Sequence, residues 1–233
     1  MTTWGEAVGT TFRLLSFRSS GEELLNVGWK HLTFGLLCTW LVGMGRYWDN
    51  PRVGLPQHLG IGSVVYIFVL AMLLWLIVLP LKPRDWSYFR VCTFVSMVAP
   101  PAVLYAIPVE KFFDLDSANE INAWFLAIVA VWRVALLVFF LRRLAQLRWF
   151  AVITATLLPL TLITVTLVTL NLEKVVMDLM GGFGQPSPND TAYSVLSVLA
   201  ILSILLSIPV ALCYVVMVIQ YQVVERLSRT KES

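Results

Sequence analysis

The chain has 233 residues, of which 58% are hydrophobic and 13% charged, with a formal net charge of +3. So few charges could not cover the apolar surface of a water-soluble fold of this size, and they form no single basic face of the kind that binds nucleic acid. Two histidines (His31, His58) and three cysteines (Cys38, Cys92, Cys213), with no CxxC or HExxH spacing, argue against a metal hydrolase, and no cofactor is expected.

Residues 1–30 read as an amphipathic cytoplasmic segment. Trp4, Val8, Phe12 and Leu15 recur at helical spacing, which predicts an interfacial helix. Ser20 and Glu23 form a capping box, so a second helix is expected to start there and run into the first apolar run. The segment reads either as an anchor to the inner leaflet or as a docking site for a soluble partner. It lacks the basic start, continuous apolar stretch and small-residue cleavage site of a secretory signal, so the amino terminus is expected to be retained.

Six apolar runs follow, at about Leu32–Met44, Ile61–Leu81, Val91–Ile107, Ile121–Leu141, Trp149–Leu170 and Val195–Ile219. A hydrocarbon core of ~30 Å takes roughly 20 helical residues to cross. The runs therefore predict an all-α fold: a polytopic transmembrane helix bundle of six spans over residues 31–221, with a short basic tail at 222–233. The first run has thirteen residues between His31 and Gly45 and crosses only if Lys30 and Arg46 snorkel.

Charge sets the orientation. Arg13, Arg18, Lys30, Lys82, Arg84, Arg90, Arg142, Arg143, Arg148, Arg226, Arg229 and Lys231 flank alternate runs on one side. The opposite connectors hold Arg46, Arg52, Lys111 and Lys174 among eight acids. The positive-inside rule puts the first set, and with it both termini, in the cytoplasm. Anionic membrane lipids are the expected partners of these connectors, and nucleic acid is not.

Arg133 is the one ionisable residue deep in a predicted span. Eight residues from the boundary at Leu141 put it roughly 12 Å inside. Thr39, Ser96, Thr156 and Tyr214 fall near the same depth, as do Pro100, Pro101, Pro159 and Pro209, which are expected to kink helices and free backbone carbonyls. One reading is a small polar cavity for an anionic headgroup or solute. The plainer one, favoured because proline and threonine are ordinary in membrane helices, is that Arg133 snorkels and the prolines serve packing.

The remaining motifs are loop-like. Gly43-Met44-Gly45 lacks the strand of a dinucleotide site and suits close packing or a turn. Gly181-Gly182-Phe183-Gly184 reads as a flexible outer loop, and Asn189-Asp190-Thr191 matches a glycosylation acceptor. The stretch Glu110-Lys111-Phe112-Phe113-Asp114-Leu115-Asp116 reads as a solvated loop touching the interface through its aromatics.

Two segments carry a resemblance: Arg90-Val91-Cys92-Thr93-Phe94-Val95-Ser96-Met97-Val98-Ala99-Pro100, and the run from Asn122-Ala123-Trp124 to Arg142-Arg143. Over about residues 30–170 the layout resembles the Yip-domain family of small polytopic membrane proteins. That family has no catalytic signature, and the resemblance implies a membrane organiser; its eukaryotic members are associated with vesicle traffic and small GTPases. The chain departs from the usual five spans by a sixth. The expected function is thus a non-enzymatic scaffold or partner subunit in a bacterial inner membrane or a eukaryotic endomembrane. Its partners would be lipids and a membrane or cytoplasmic protein met through the N-terminal segment. The alternative is a small transporter or lipid-handling protein using Arg133.

Overall fold

A computed structural model of the protein describes residues 3–47, 54–170 and 191–232, and the described residues are all helical or irregular, with no strand. The glycine-rich stretch at 181–184 and Asn189 and Asp190 of the glycosylation triplet lie outside them. Helix α1 (Trp4–Leu15) and α2 (Gly21–Leu25) precede α3 (Trp29–Tyr47), α4 (Leu55–His58) and α5 (Ile61–Val78). Then come α6 (Tyr88–Met97), α7 (Leu115–Arg143), α8 (Trp149–Thr169) and α9 (Thr191–Glu232). Among the described residues, four segments are long and apolar enough to cross a membrane: Ile61–Leu81, Glu120–Arg143, Trp149–Thr169 and Ala200–Val223.

The N-terminal segment is more sharply folded than its sequence suggests. Both α1 and α2 open with capping boxes, Thr3 with Glu6 and Ser20 with Glu23, each pairing a hydroxyl and a carboxylate with the first-turn amides. Helix α1 ends in a Schellman motif, where the Phe17 amide donates to Leu14 O and the Arg18 amide to Arg13 O. Phe17 occupies the left-handed position (φ 60°) that glycine usually takes, at a cost of about 1–2 kcal/mol. Its ring lies edge-on to Phe139, 5.8 Å away, which offsets part of that cost. Helix α2 does not continue into α3. It stops at Leu25, and α3 starts afresh after Gly28, whose amide donates to Nδ1 of the buried His31.

The side of α1 that packs inward is also not the large apolar one. Ala7, Thr10, Thr11 and Leu14 are buried, with Leu15 at the edge, whereas Trp4 and Phe12 are exposed. Helices pack most closely through small residues when lipid, rather than water, covers the bulky ones.

Helix α6 is the axis of the bundle. Every residue from Val91 to Ala99 is buried, the pattern of a helix surrounded on all sides. Helices α3, α5 and α7 enclose it, and Phe94 stacks on Phe140 of α7 at 3.9 Å. The third apolar run is therefore not one helix. At Pro100-Pro101 the backbone loses two amide donors and continues as a 3₁₀ helix over Pro100–Ala106.

Contact between α3 and α6 depends on Gly35, where a Cβ would lie 2.6 Å from the carbonyl carbon of Ser96. Gly43, half of the GxG, similarly abuts Ser63 at the start of α5. Helices α8 and α9 pair at the periphery and join the rest through Val78, Leu81, Leu141 and Met217. Only 11% of the apolar stretch of α9 is fully buried; one face, through Val210, Tyr214 and Met217, packs inward, and the rest presents aliphatic side chains outward.

Candidate functional site

Arg133 sits half-buried on α7, and its Nε donates to the Val98 carbonyl at 3.3 Å. The local backbone explains why that oxygen is free. The residue three further on is Pro101, which has no N–H, and the amide of Ala102 donates to Ala99 O instead. The guanidinium thus supplies the donor that the proline pair removed.

The other residues predicted at this depth are bonded separately. Thr39 Oγ1 donates to Gly35 O at 2.8 Å and Ser96 Oγ to Thr93 O at 2.8 Å, both within their own helices and both buried. Tyr214 Oη donates to Ile77 O at 2.7 Å, three residues before Pro80, which has no amide to offer that carbonyl. Thr156 is buried, and its hydroxyl has no hydrogen-bond partner. No hydrogen bond among the described residues joins Arg133, Thr39, Ser96, Thr156 and Tyr214 to one another. Helices α8 and α9 continue through Pro159 and Pro209, while Pro100 and Pro101 end α6.

The recurring device is a side-chain donor from one element on a terminal or proline-freed carbonyl of another. Trp132 Nε1 donates to Leu15 O at the end of α1 (3.0 Å), Arg90 Nε to Leu25 O at the end of α2 (3.3 Å), and Trp40 Nε1 to Leu59 O after α4 (2.8 Å). In a medium without water such oxygens have to be satisfied from inside the protein. Tyr214→Phe removes one of these donors and is expected to lower stability by about 1 kcal/mol. The loss should appear as faster proteolytic release of α9 in detergent, with the rest of the bundle unaffected.

The basic connectors converge at one end. The Arg84 amide donates to Ala145 O, Arg90 reaches Leu25 O, and Gly21 lies against Arg143 O. Met217 and Tyr221 pack with Leu81 and Leu147 at the same end. Between α7 and α8 there, a cleft of about 490 Å³ is lined by Ala135, Val138, Phe139, Arg142, Arg143 and Trp149. Arg142 lies over the Trp149 ring (4.6 Å) and Arg143 over that of Phe139 (5.6 Å). Sequence alone marked the two arginines only as a basic turn; the aromatic partners meet them through the fold.

No protein-family model matches the chain, and no curated protein or solved structure is detectably similar to it.

Proposed function

We propose that this is an integral membrane protein with six crossings and both termini in the cytoplasm, acting without enzymatic activity as a Yip-like scaffold or partner subunit. The bonding of Arg133 carries the reading. The one charge deep in the bundle is bound to a carbonyl left free by a proline, and the hydroxyls near its depth are bonded elsewhere or stand alone. Charge used in this way holds helices together and leaves little polar surface for a solute.

The six crossings draw support from the gathering of alternate connectors at one end, since each intervening segment then runs the length of the bundle. Helix α3, at 19 residues, is about 28 Å long, close to a core of ~30 Å, and α6 with the 3₁₀ stretch Pro100–Ala106 that follows its end gives the third run a comparable number of residues.

Cysteine labelling tests the topology. In a chain whose own cysteines are replaced, Arg84→Cys, at an exposed connector, should react with an impermeant maleimide only from the cytoplasmic face, and Phe112→Cys only from the opposite one. Labelling of both from the same side would refute it. Native mass spectrometry in mild detergent then tests the role: a partner polypeptide at fixed stoichiometry is expected, and a chain that always runs alone argues against a subunit.

A further inference from the structure

We infer that the cleft between α7 and α8 is a binding site for an anionic phospholipid, with the phosphate held by Arg142 and Arg143 and an acyl chain running along α7 over Val138 and Ala135. Its position comes first. Arg143 ends one membrane-length apolar segment and Trp149 begins the next, so the mouth of the cleft lies at headgroup level. Ala135 is two helical turns from Arg142, about 10 Å deeper at 1.5 Å per residue, which is acyl-chain depth.

The chemistry of the walls is divided in the same way. Two guanidiniums line the mouth, and no carboxylate among the described residues pairs with either. One Arg142 nitrogen is held by Leu147 O at 2.6 Å and the group lies 4.6 Å over the Trp149 ring, leaving its other N–H donors for an incoming oxygen. Phe139 holds Arg143 likewise. Below them the lining is Ala135, Val138 and the body of Phe139, which offer an anion nothing and a hydrocarbon chain a dry surface. A phosphate alone would use half the cleft, and a neutral lipid would leave two positive charges unanswered. An amphiphile whose phosphodiester has no ammonium of its own to neutralise it uses both, and a zwitterionic lipid answers the two guanidiniums less well.

The inference rests on α7 and α8 crossing the bilayer, which the labelling experiment examines separately. The test is native mass spectrometry of the full chain titrated with phosphatidylglycerol or phosphatidylcholine. The wild type should retain one phosphatidylglycerol molecule in preference to phosphatidylcholine by roughly tenfold, and Arg143→Gln should abolish most of that preference, as expected for loss of one charge-assisted contact. Val138→Trp, which fills the apolar half without touching a charge, should weaken retention of the same lipid, and Arg133→Leu should leave it unchanged. Equal retention of both lipids by the wild type, or full preference persisting in Arg143→Gln and Val138→Trp, would overturn the assignment. So would displacement of the lipid by equimolar inorganic phosphate, which would mean a site for the free anion. Correct labelling with failed lipid preference would count against the cleft alone.

Discussion

Pro101→Ala is expected to restore most of the stability that Arg133→Leu removes. Leucine at 133 takes away the donor to Val98 O and leaves that carbonyl bare in the bundle interior. Hydrogen bonds from charged donors contribute about 1.5–3 kcal/mol, and Arg133 is only half-buried, so a loss of about 1–2 kcal/mol is expected. The insertion cost of an arginine, ~2.5–3.5 kcal/mol, does not reverse the sign. It applies equally to the native bundle and to separated helices still in the bilayer, and it cancels when unfolding is followed within the membrane. Alanine at 101 supplies an N–H three residues beyond Val98, in the register of the 3₁₀ helix that already runs from Pro100. The carbonyl then has a donor from its own chain, and the guanidinium becomes dispensable. Unfolding of the four proteins in bicelles, with the single and double substitutions compared as a cycle, should give a coupling of about 1 kcal/mol. Strict additivity would mean that Arg133 stabilises the bundle by some other route.

Gly35→Ala should damage the bundle to a similar degree. In an isolated helix the change is favourable by up to about 1 kcal/mol. Here the new methyl would meet Ser96 at its Oγ, its Cβ (2.8 Å) and its carbonyl carbon (2.6 Å). A hydroxyl can rotate away, but backbone cannot, so α3 has to withdraw from the central helix. Overpacking of this kind costs about 1–3 kcal/mol, enough to outweigh the gain in propensity. Because α6 is enclosed on every side, the gap should spread. Cys92, 2% exposed and one turn from Ser96, provides the readout: its reaction with a thiol reagent should accelerate in step with the loss of stability. Ser96→Gly should rescue only in part, since the carbonyl carbon remains.

Long, uniformly apolar segments were legible because length and hydropathy are properties of the segment itself. The second, fourth, fifth and sixth runs appear as membrane-length helices within a few residues of their expected bounds. The capping box at Ser20 and Glu23 was equally plain, since its two bonds span three residues. What periodicity could not reveal was which side of a helix faces the protein. On α1 it picked out Trp4, Val8, Phe12 and Leu15 as an interfacial face; Trp4 and Phe12 are indeed exposed, but Leu15 is buried, together with Ala7, Thr10, Thr11 and Leu14, which the apolar spacing did not mark. In water the bulky apolar face is the buried one; among lipids it is free to point outward, and small residues take the contact. The central role of Gly35 was hidden for the same reason. At Arg133, depth and the proline-freed carbonyls were readable, but not the particular oxygen, which depends on how α7 lies against the end of α6. The arginine cleft needed two helices to be brought side by side, and no spacing within one segment encodes that.

The cross-chain donors described above also constrain the order of synthesis. Leu15 O receives its bond from a tryptophan 117 residues later, and Ile77 O from a tyrosine 137 residues later. At ribosomal rates of about 5–20 residues per second, the first of these oxygens waits roughly 6–23 s for its partner to be translated. During that interval the nascent chain has to borrow donors from water, headgroups or the insertion machinery; α1 can meet α3 early, but its last carbonyl is satisfied only after α7 has emerged.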